Sequence, residues 1–204
     1  MKALAILVCV LACLGTETQA REYHGADQGM LVVSLGMIAQ GNKPSFDSYM
    51  MNYKVAGTKT DTFLGEPSLS FSPVSYFHAK DFTGRELGRV EILHLKPGNY
   101  EIYSSTFHYV QGVQDVQWGS HKDFSIPFTI KPGETTYIGA FLGVTLYDGM
   151  GFPANGYLVL SDRHDRDIEI AKKKEPGLFP VTMQVSDPQA LQIPGIVAKE
   201  GAAP

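Results

Sequence analysis

Six histidines and one dense acidic group are the side chains of this 204-residue chain whose chemistry could go beyond packing. His94 shares a strand face with Val90 and Ile92, and His108 stands between Phe107 and Tyr109. Joined by His78 or His121, they could offer imidazole nitrogens to zinc or copper. No i, i+2 pair brings two of them onto one strand face, however. An imidazole among apolar neighbours serves more often as a hydrogen-bonded core or edge residue than as a ligand. Asp162, His164, Asp165 and Asp167 form the acidic group, which by composition alone suits a cation site or an acid–base pair. Read as a calcium loop starting at Asp162, its sixth and twelfth positions hold Asp167 and Lys173, where Gly and Glu are needed. The same spacing suits the start of a helix, with Asp162 as the cap and Asp165 accepting from free backbone amides. The expectation is a helix start, with no catalytic residue, no metal and no cofactor.

Other signatures of catalysis are missing from the sequence. Gly139, Gly143, Gly149 and Gly151 fall in neither phosphate-loop nor dinucleotide spacing, and there is no Gly-x-Ser-x-Gly elbow or His-Glu-x-x-His helix. The only cysteines are Cys9 and Cys13, which leaves no later thiol for catalysis or zinc. Aromatic side chains offer a different kind of site. Tyr100, Tyr103, Phe107, Tyr109 and Trp118 crowd the middle of the chain. At strand spacing such residues mostly fill a core, while an exposed subset could form a carbohydrate or peptide platform. Trp118, beside Gly119 and Ser120 and ahead of His121-Lys122-Asp123, is the one expected at the surface. With Tyr103 and Tyr109 it makes the candidate ligand-binding set. Lys172, Lys173 and Lys174 could touch anionic lipid, although lysines at a helix end are ordinarily just solvated.

These residues must be placed in a compartment before they can be placed in a fold. Met1-Lys2, the apolar run Ala3 to Leu14 and the polar stretch closing on Ala20 have the layout of a secretory leader over 1–20. The run is too short for a spanning helix, which needs about 20 apolar residues. Val10-Leu11-Ala12-Cys13 resembles a bacterial lipobox, which makes Cys13 a candidate lipidation site, while cleavage after Ala20 is the competing reading. No Asn-x-Ser/Thr acceptor is present, which favours a bacterial envelope over a eukaryotic secretory route. The expected location is the periplasm, free or anchored through a lipidated cysteine. With 17 Lys and Arg against 21 Asp and Glu, a net charge of −4 and no basic stripe, nucleic acid is not an expected partner.

The mature chain reads as many short strands, with 21 glycines and 12 prolines punctuating it. Strands are expected over 30–39, 48–56, 89–95, 99–103, 128–130, 135–141 and 156–161, with an edge-type strand over 69–77 broken by Pro73. Lys96-Pro97-Gly98 and Lys131-Pro132-Gly133 read as hairpin turns, each with Gly at positive φ. Asp162 to Asp167, leading into Ile168 to Lys174 and a Pro-Gly stop, reads as the only sizeable helix, because acids at its start and lysines at its end suit the helix dipole. Leu178 to Val185 returns as a last strand. The expected architecture is mainly β: a single antiparallel β-sandwich over 21–186 with one short C-terminal helix, followed by a flexible tail over 187–204.

Leu95-Lys96-Pro97-Gly98-Asn99-Tyr100-Glu101-Ile102 resembles the Leu-x-Pro-Gly-x-Tyr-x-Ile hairpin of transthyretin-like and carboxypeptidase-regulatory-like sandwiches. Ile130 to Glu134 with Tyr137-Ile138-Gly139, and the Asp165-Arg166-Asp167-Ile168 segment, resemble parts of bacterial envelope proteins and lipoproteins that carry such a fold. The resemblance covers about residues 85–180 and implies a fold and an envelope location; it brings no catalytic residue with it. The expected function is a non-enzymatic envelope module for interaction or structure, with an envelope protein partner. Two alternatives stand beside it: an exported metal-dependent hydrolase, and a carrier binding a sugar or lipid on an aromatic surface. Intact-mass measurement of the mature protein is expected to find either an acylated Cys13 or a free Arg21 at its N-terminus. A cytosolic product beginning at Met1 would remove the export argument.

Overall fold

The computed structural model describes residues 25–43, 45–59, 67–73, 80–111, 114–119, 124–191 and 195–198. The histidines at 78 and 121, Cys13 and the leader lie outside them. Among the described residues, eleven strands and two short helices follow one another in the order β1 (Gly29–Ile38), β2 (Ser48–Val55), β3 (Ser68–Phe71), β4 (Glu86–Leu95), β5 (Gly98–Gln111), β6 (Gln114–Gly119), β7 (Ile126–Ile130), β8 (Thr135–Tyr147), β9 (Pro153–Ser161), α1 (His164–Lys174), β10 (Val181–Met183), α2 (Pro188–Leu191) and β11 (Ile196–Val197). Two sheets stack as a sandwich. The first runs β11-β9-β8-β1-β4, with β10 also on β8, and the second runs β3-β2-β5-β6, with β7 also on β5.

Burial explains which strand lies where. Every residue of β1 is buried, as its unbroken apolar and small-residue run requires of a strand covered on both faces. β2 alternates strictly, with Tyr49, Met51 and Tyr53 inward and Met50, Asn52 and Lys54 outward, so the outer face of its sheet carries polar groups. The inward rows of both sheets meet in one core that includes Leu31, Leu35, Phe46, Tyr49, Ile102 and Phe141. Aromatic rings fill much of it, and glycines make room for them. A Cβ on Gly143 would sit 2.6 Å from the Phe46 ring, and one on Gly156 would sit 2.9 Å from the Trp118 indole nitrogen. The outer face of the first sheet is dry as well: Ile168 and Ala171 of α1 pack onto Val32, Val90 and Tyr137.

Three expectations change. Neither Lys-Pro-Gly turn makes a hairpin, because β4 and β8 belong to the first sheet while β5 and β7 belong to the second. Each turn lifts the chain from one layer to the other. Gly133 does adopt a left-handed φ of 65°, but Gly98 is the first residue of β5, is absent from the positive-φ glycines, and has room for a Cβ at ordinary contact distance. The sandwich is also not wholly antiparallel: β8 runs parallel to β1, β10 parallel to β8 and β11 parallel to β9. Finally, the segment expected as a tail contributes α2 and β11, with Ile196 and Val197 buried against β9.

One polar side chain crosses the dry core. The Tyr49 hydroxyl donates to the Phe141 carbonyl of β8 at 2.7 Å and accepts from the Gly36 amide of β1 at 3.0 Å, so a residue of one sheet bonds two strands of the other. Burial drives its pKa far above the usual phenol range, and the group stays a neutral donor. Tyr49→Phe keeps the ring and removes both cross-sheet bonds. The expected cost is about 2–3 kcal/mol, read as a drop in the urea midpoint at unchanged slope. A midpoint within error of the parent would show that the bridge carries no stability.

Candidate functional site

The chemically capable residues around Asp162–Asp167 gather where α1 meets the first sheet. Asp162 Oδ1 accepts from the His164 amide at 2.8 Å, which caps the helix from one residue before its formal N-cap, Arg163. Asp165 does not cap as expected: its carboxylate is fully exposed and lies beside its neighbour, the His164 ring. Asp167 takes a role the sequence does not announce. It is fully buried, accepts from the Tyr137 hydroxyl at 2.8 Å through Oδ2, and accepts from Arg166 Nε at 2.8 Å through Oδ1. The Tyr137 hydroxyl in turn accepts from the Arg163 amide at 3.0 Å.

Glu86, at the start of the edge strand β4, closes the network. It receives Arg163 through Nε and Nη2, and Arg166 through Nη1 at 2.7 Å, while the Arg166 guanidinium lies 3.7 Å over the Phe82 ring. The hydrogen bonds from Arg163 hold the Glu86 carboxyl below its usual range, and the same contact holds the Arg163 guanidinium up. Burial, followed by the neighbouring Asp167, pushes the Tyr137 phenol far above its usual range. The phenol is therefore a fixed donor and the Glu86 carboxylate a fixed acceptor. Apart from Arg166 Nη2, which is buried without a hydrogen-bond partner, the named groups are engaged with one another. An open depression of about 560 Å³ lies over this network, lined by Asp162 to Arg166 and Met183. Such an arrangement ties a helix to a sheet by charge and hydrogen bonding.

The two histidines weighed as metal ligands do not meet. His94 lies on the helix-facing side of β4, with Nδ1 3.3 Å from Gln28 Oε1 and Nε2 3.9 Å from Glu175. His108 lies in the other sheet, 3.7 Å from Asp115. Among the described residues no three His, Cys, Asp or Glu side chains come together as a metal-holding group.

The aromatic candidates divide between two faces. Trp118 is not the exposed ring expected: it packs half-buried against the core and stacks on Phe107 at 5.9 Å with the planes 7° apart. Tyr109 follows Phe107 by two residues and shares its inward side. Tyr103 sits at a bulge with no residue opposite, and the Lys54 ammonium lies 4.8 Å over its ring on the outward side. The three do not form one platform.

A different set of side chains is left over, one that sequence reading missed. Seven large apolar residues are exposed among the described residues, and four of them, Val110, Leu146, Met150 and Phe152, lie at one end of the sandwich. The loop after β1 joins the ends of β5 and β8 there. The Phe46 amide donates to Thr145 Oγ1 at 3.4 Å, and Asp47 Oδ2 accepts from the Val110 amide at 2.6 Å. Met150, 81% exposed, stands at the apex of the β8–β9 turn. The available signal is Asp148-Gly149-Met150-Gly151-Phe152, a turn composition interrupted by two bulky apolar residues where polar ones are usual.

The Glu86 contacts set a pH dependence. A carboxyl whose pKa is lowered on folding contributes stability that is fully present above its unfolded value, near 4.5, and is lost as pH falls through the folded value. Glu86→Gln is expected to lower stability by about 1–2 kcal/mol at neutral pH, between the exposed and buried limits for ion pairs. The gap between variant and parent should narrow as pH falls from 4.5. Parallel stability curves for the two proteins over that range would remove Glu86 from the account.

Compared with family models, with curated proteins and with solved structures, the chain shows no match to any of them.

Proposed function

We propose that the chain is an exported, non-enzymatic β-sandwich that works by presenting one end of the sandwich to a binding partner in the cell envelope. The observation that carries this reading is the distribution of side chains. The groups with chemical capability at the start of α1 are engaged in holding the helix, while bulky apolar groups outside the core clusters are exposed at the β8–β9 turn and its neighbours. Exposed apolar residues collected in one place mark interaction surfaces more often than chance exposure does. Export is supported by the leader over 1–20, with its charged start, apolar run and small closing residue.

β8 itself separates the proposed contact end from the Lys131–Glu134 turn, and at the usual rise its length places them roughly 40 Å apart. A photo-crosslinking residue at position 150, compared with one at position 131, therefore tests the reading directly in envelope fractions. Adducts are expected from position 150 and not from position 131. Equal labelling, or none at either position, would overturn the proposal.

A further inference from the structure

We infer that the β8–β9 tip enters the interfacial layer of a lipid membrane, an inference that rests on the reading of this end as the binding surface. The turn pairs four of its own amides within itself. Asp148 Oδ1 accepts from the Met150 and Phe152 amides, both at 2.9 Å. The Asp148 amide donates to the Phe152 carbonyl at 2.9 Å, and the Gly151 amide donates to the Asp148 carbonyl at 3.1 Å, with Gly151 at a left-handed φ of 87°. Amides left without partners are the main obstacle to placing irregular backbone in a poorly hydrated layer, and here the turn itself supplies partners for those of Asp148, Met150, Gly151 and Phe152.

The side chains are layered as an interface requires. Met150 is outermost, with Leu146 and Phe152 exposed beside it. Behind them stands Tyr147, whose hydroxyl donates to Gln40 at 3.1 Å and whose ring carries the exposed Lys43 ammonium at 4.8 Å. An apolar apex backed by a phenol and a lysine matches the acyl boundary backed by the headgroup phosphates. Of the carboxylates at this end, Asp148 and Asp47 accept from backbone amides and Asp115, opposite Val110, lies beside His108 and accepts from Gln117, while the exposed Lys43 ammonium is the cation nearest the apex. A protein partner fits less well, since specific protein interfaces carry about one hydrogen bond per 100–200 Å² and this turn has bonded four of its amides internally.

The test uses the full chain with vesicles of phosphatidylcholine brominated in the acyl chains. Met150→Trp is expected to lose fluorescence on vesicle addition, whereas the parent, whose only tryptophan is the half-buried Trp118, and Met183→Trp at a distant exposed site are expected to stay unchanged. Met150→Asp with Phe152→Asp is expected to weaken vesicle flotation by about tenfold or more, given the apolar area lost. Lys43→Glu should weaken it less. Flotation mediated only by the leader would leave Met150→Trp unquenched and the aspartate variant unaffected, and would overturn the inference. An unquenched Met150→Trp alongside a crosslink from position 150 to protein would sink the lipid assignment and leave the docking reading standing. The quenching measurement does not depend on whether the aspartate variant folds.

Discussion

Tyr49 places a hydroxyl in the middle of a largely apolar core and satisfies both its donor and its acceptor capacity by bonding across the sandwich. Face-to-face packing of two sheets by apolar contact alone tolerates sliding, because hydrophobic burial is non-directional. A hydrogen bond from β2 to specific groups on β1 and β8 does not tolerate it. Around that point the rings of Phe46, Phe71 and Phe107 all lie within 6 Å of the Tyr49 ring, centre to centre. Gly143 supplies the floor on which Phe46 lies. The relative position of the layers, and with it the meeting of the loop after β1 with the ends of β5 and β8, follows from this register.

Two-layer sandwiches leave strand edges open, and here side chains from other segments close several of them. On β4, the Val90 amide donates to Asp81 and its carbonyl accepts from Lys174, two groups that also pair with each other. On β7, the Gln184 side chain both accepts from the Thr129 amide and donates to its carbonyl, which reproduces with one amide the contact a neighbouring strand would make. Arg89 and Glu91 place paired charges near the junction of β4 with β3, where Arg89 also reaches the Ser70 carbonyl. Such devices keep a sandwich from pairing edge to edge. They also explain what the segment after β9 is for: α1 covers the outer face of one sheet, its last lysine caps an edge, and Gln184 caps another.

Much of this was legible in residue order. β1 and β2 show because a strand buried on both faces and a strand buried on one leave different periodicities, and α1 shows because its acids and lysines sort to opposite ends. The turns at Pro97 and Pro132 were also visible, but Pro and Gly encode a reversal of the chain and not the choice between a neighbour in the same sheet and one in the opposite sheet. That choice is made by the partners, with β1 claiming β4 and β2 claiming β5 over long separations. The far half of β5 escaped notice because its outward row of Ser104, Thr106 and His108 hides the inward row of Ser105 and Phe107. Asp167 could not be told from Asp165 by type or spacing. Only the orientation of α1 on the sheet sends one toward Tyr137 and the other into water.

The tip at Met150 illustrates why a binding element can be local in sequence and still remain hidden. A turn that exposes Met150 and Phe152 takes its conformation from elsewhere, and here it comes from the Asp148 carboxylate bonded to two amides together with two backbone bonds. The geometry of the tip is therefore independent of the side chains it displays. The turn can carry apolar residues outward at little cost to the sandwich, whose core at that end is completed by Phe46 and Phe107 without them. Separation of the two tasks has a further consequence. The residues that stabilise the fold lie between the sheets and under α1, the residues that face outward lie past the end of β8, and no named hydrogen bond joins the α1 network to the tip. Binding at such an end needs no conformational change in the body behind it, which is the behaviour of a preformed docking element on a rigid scaffold.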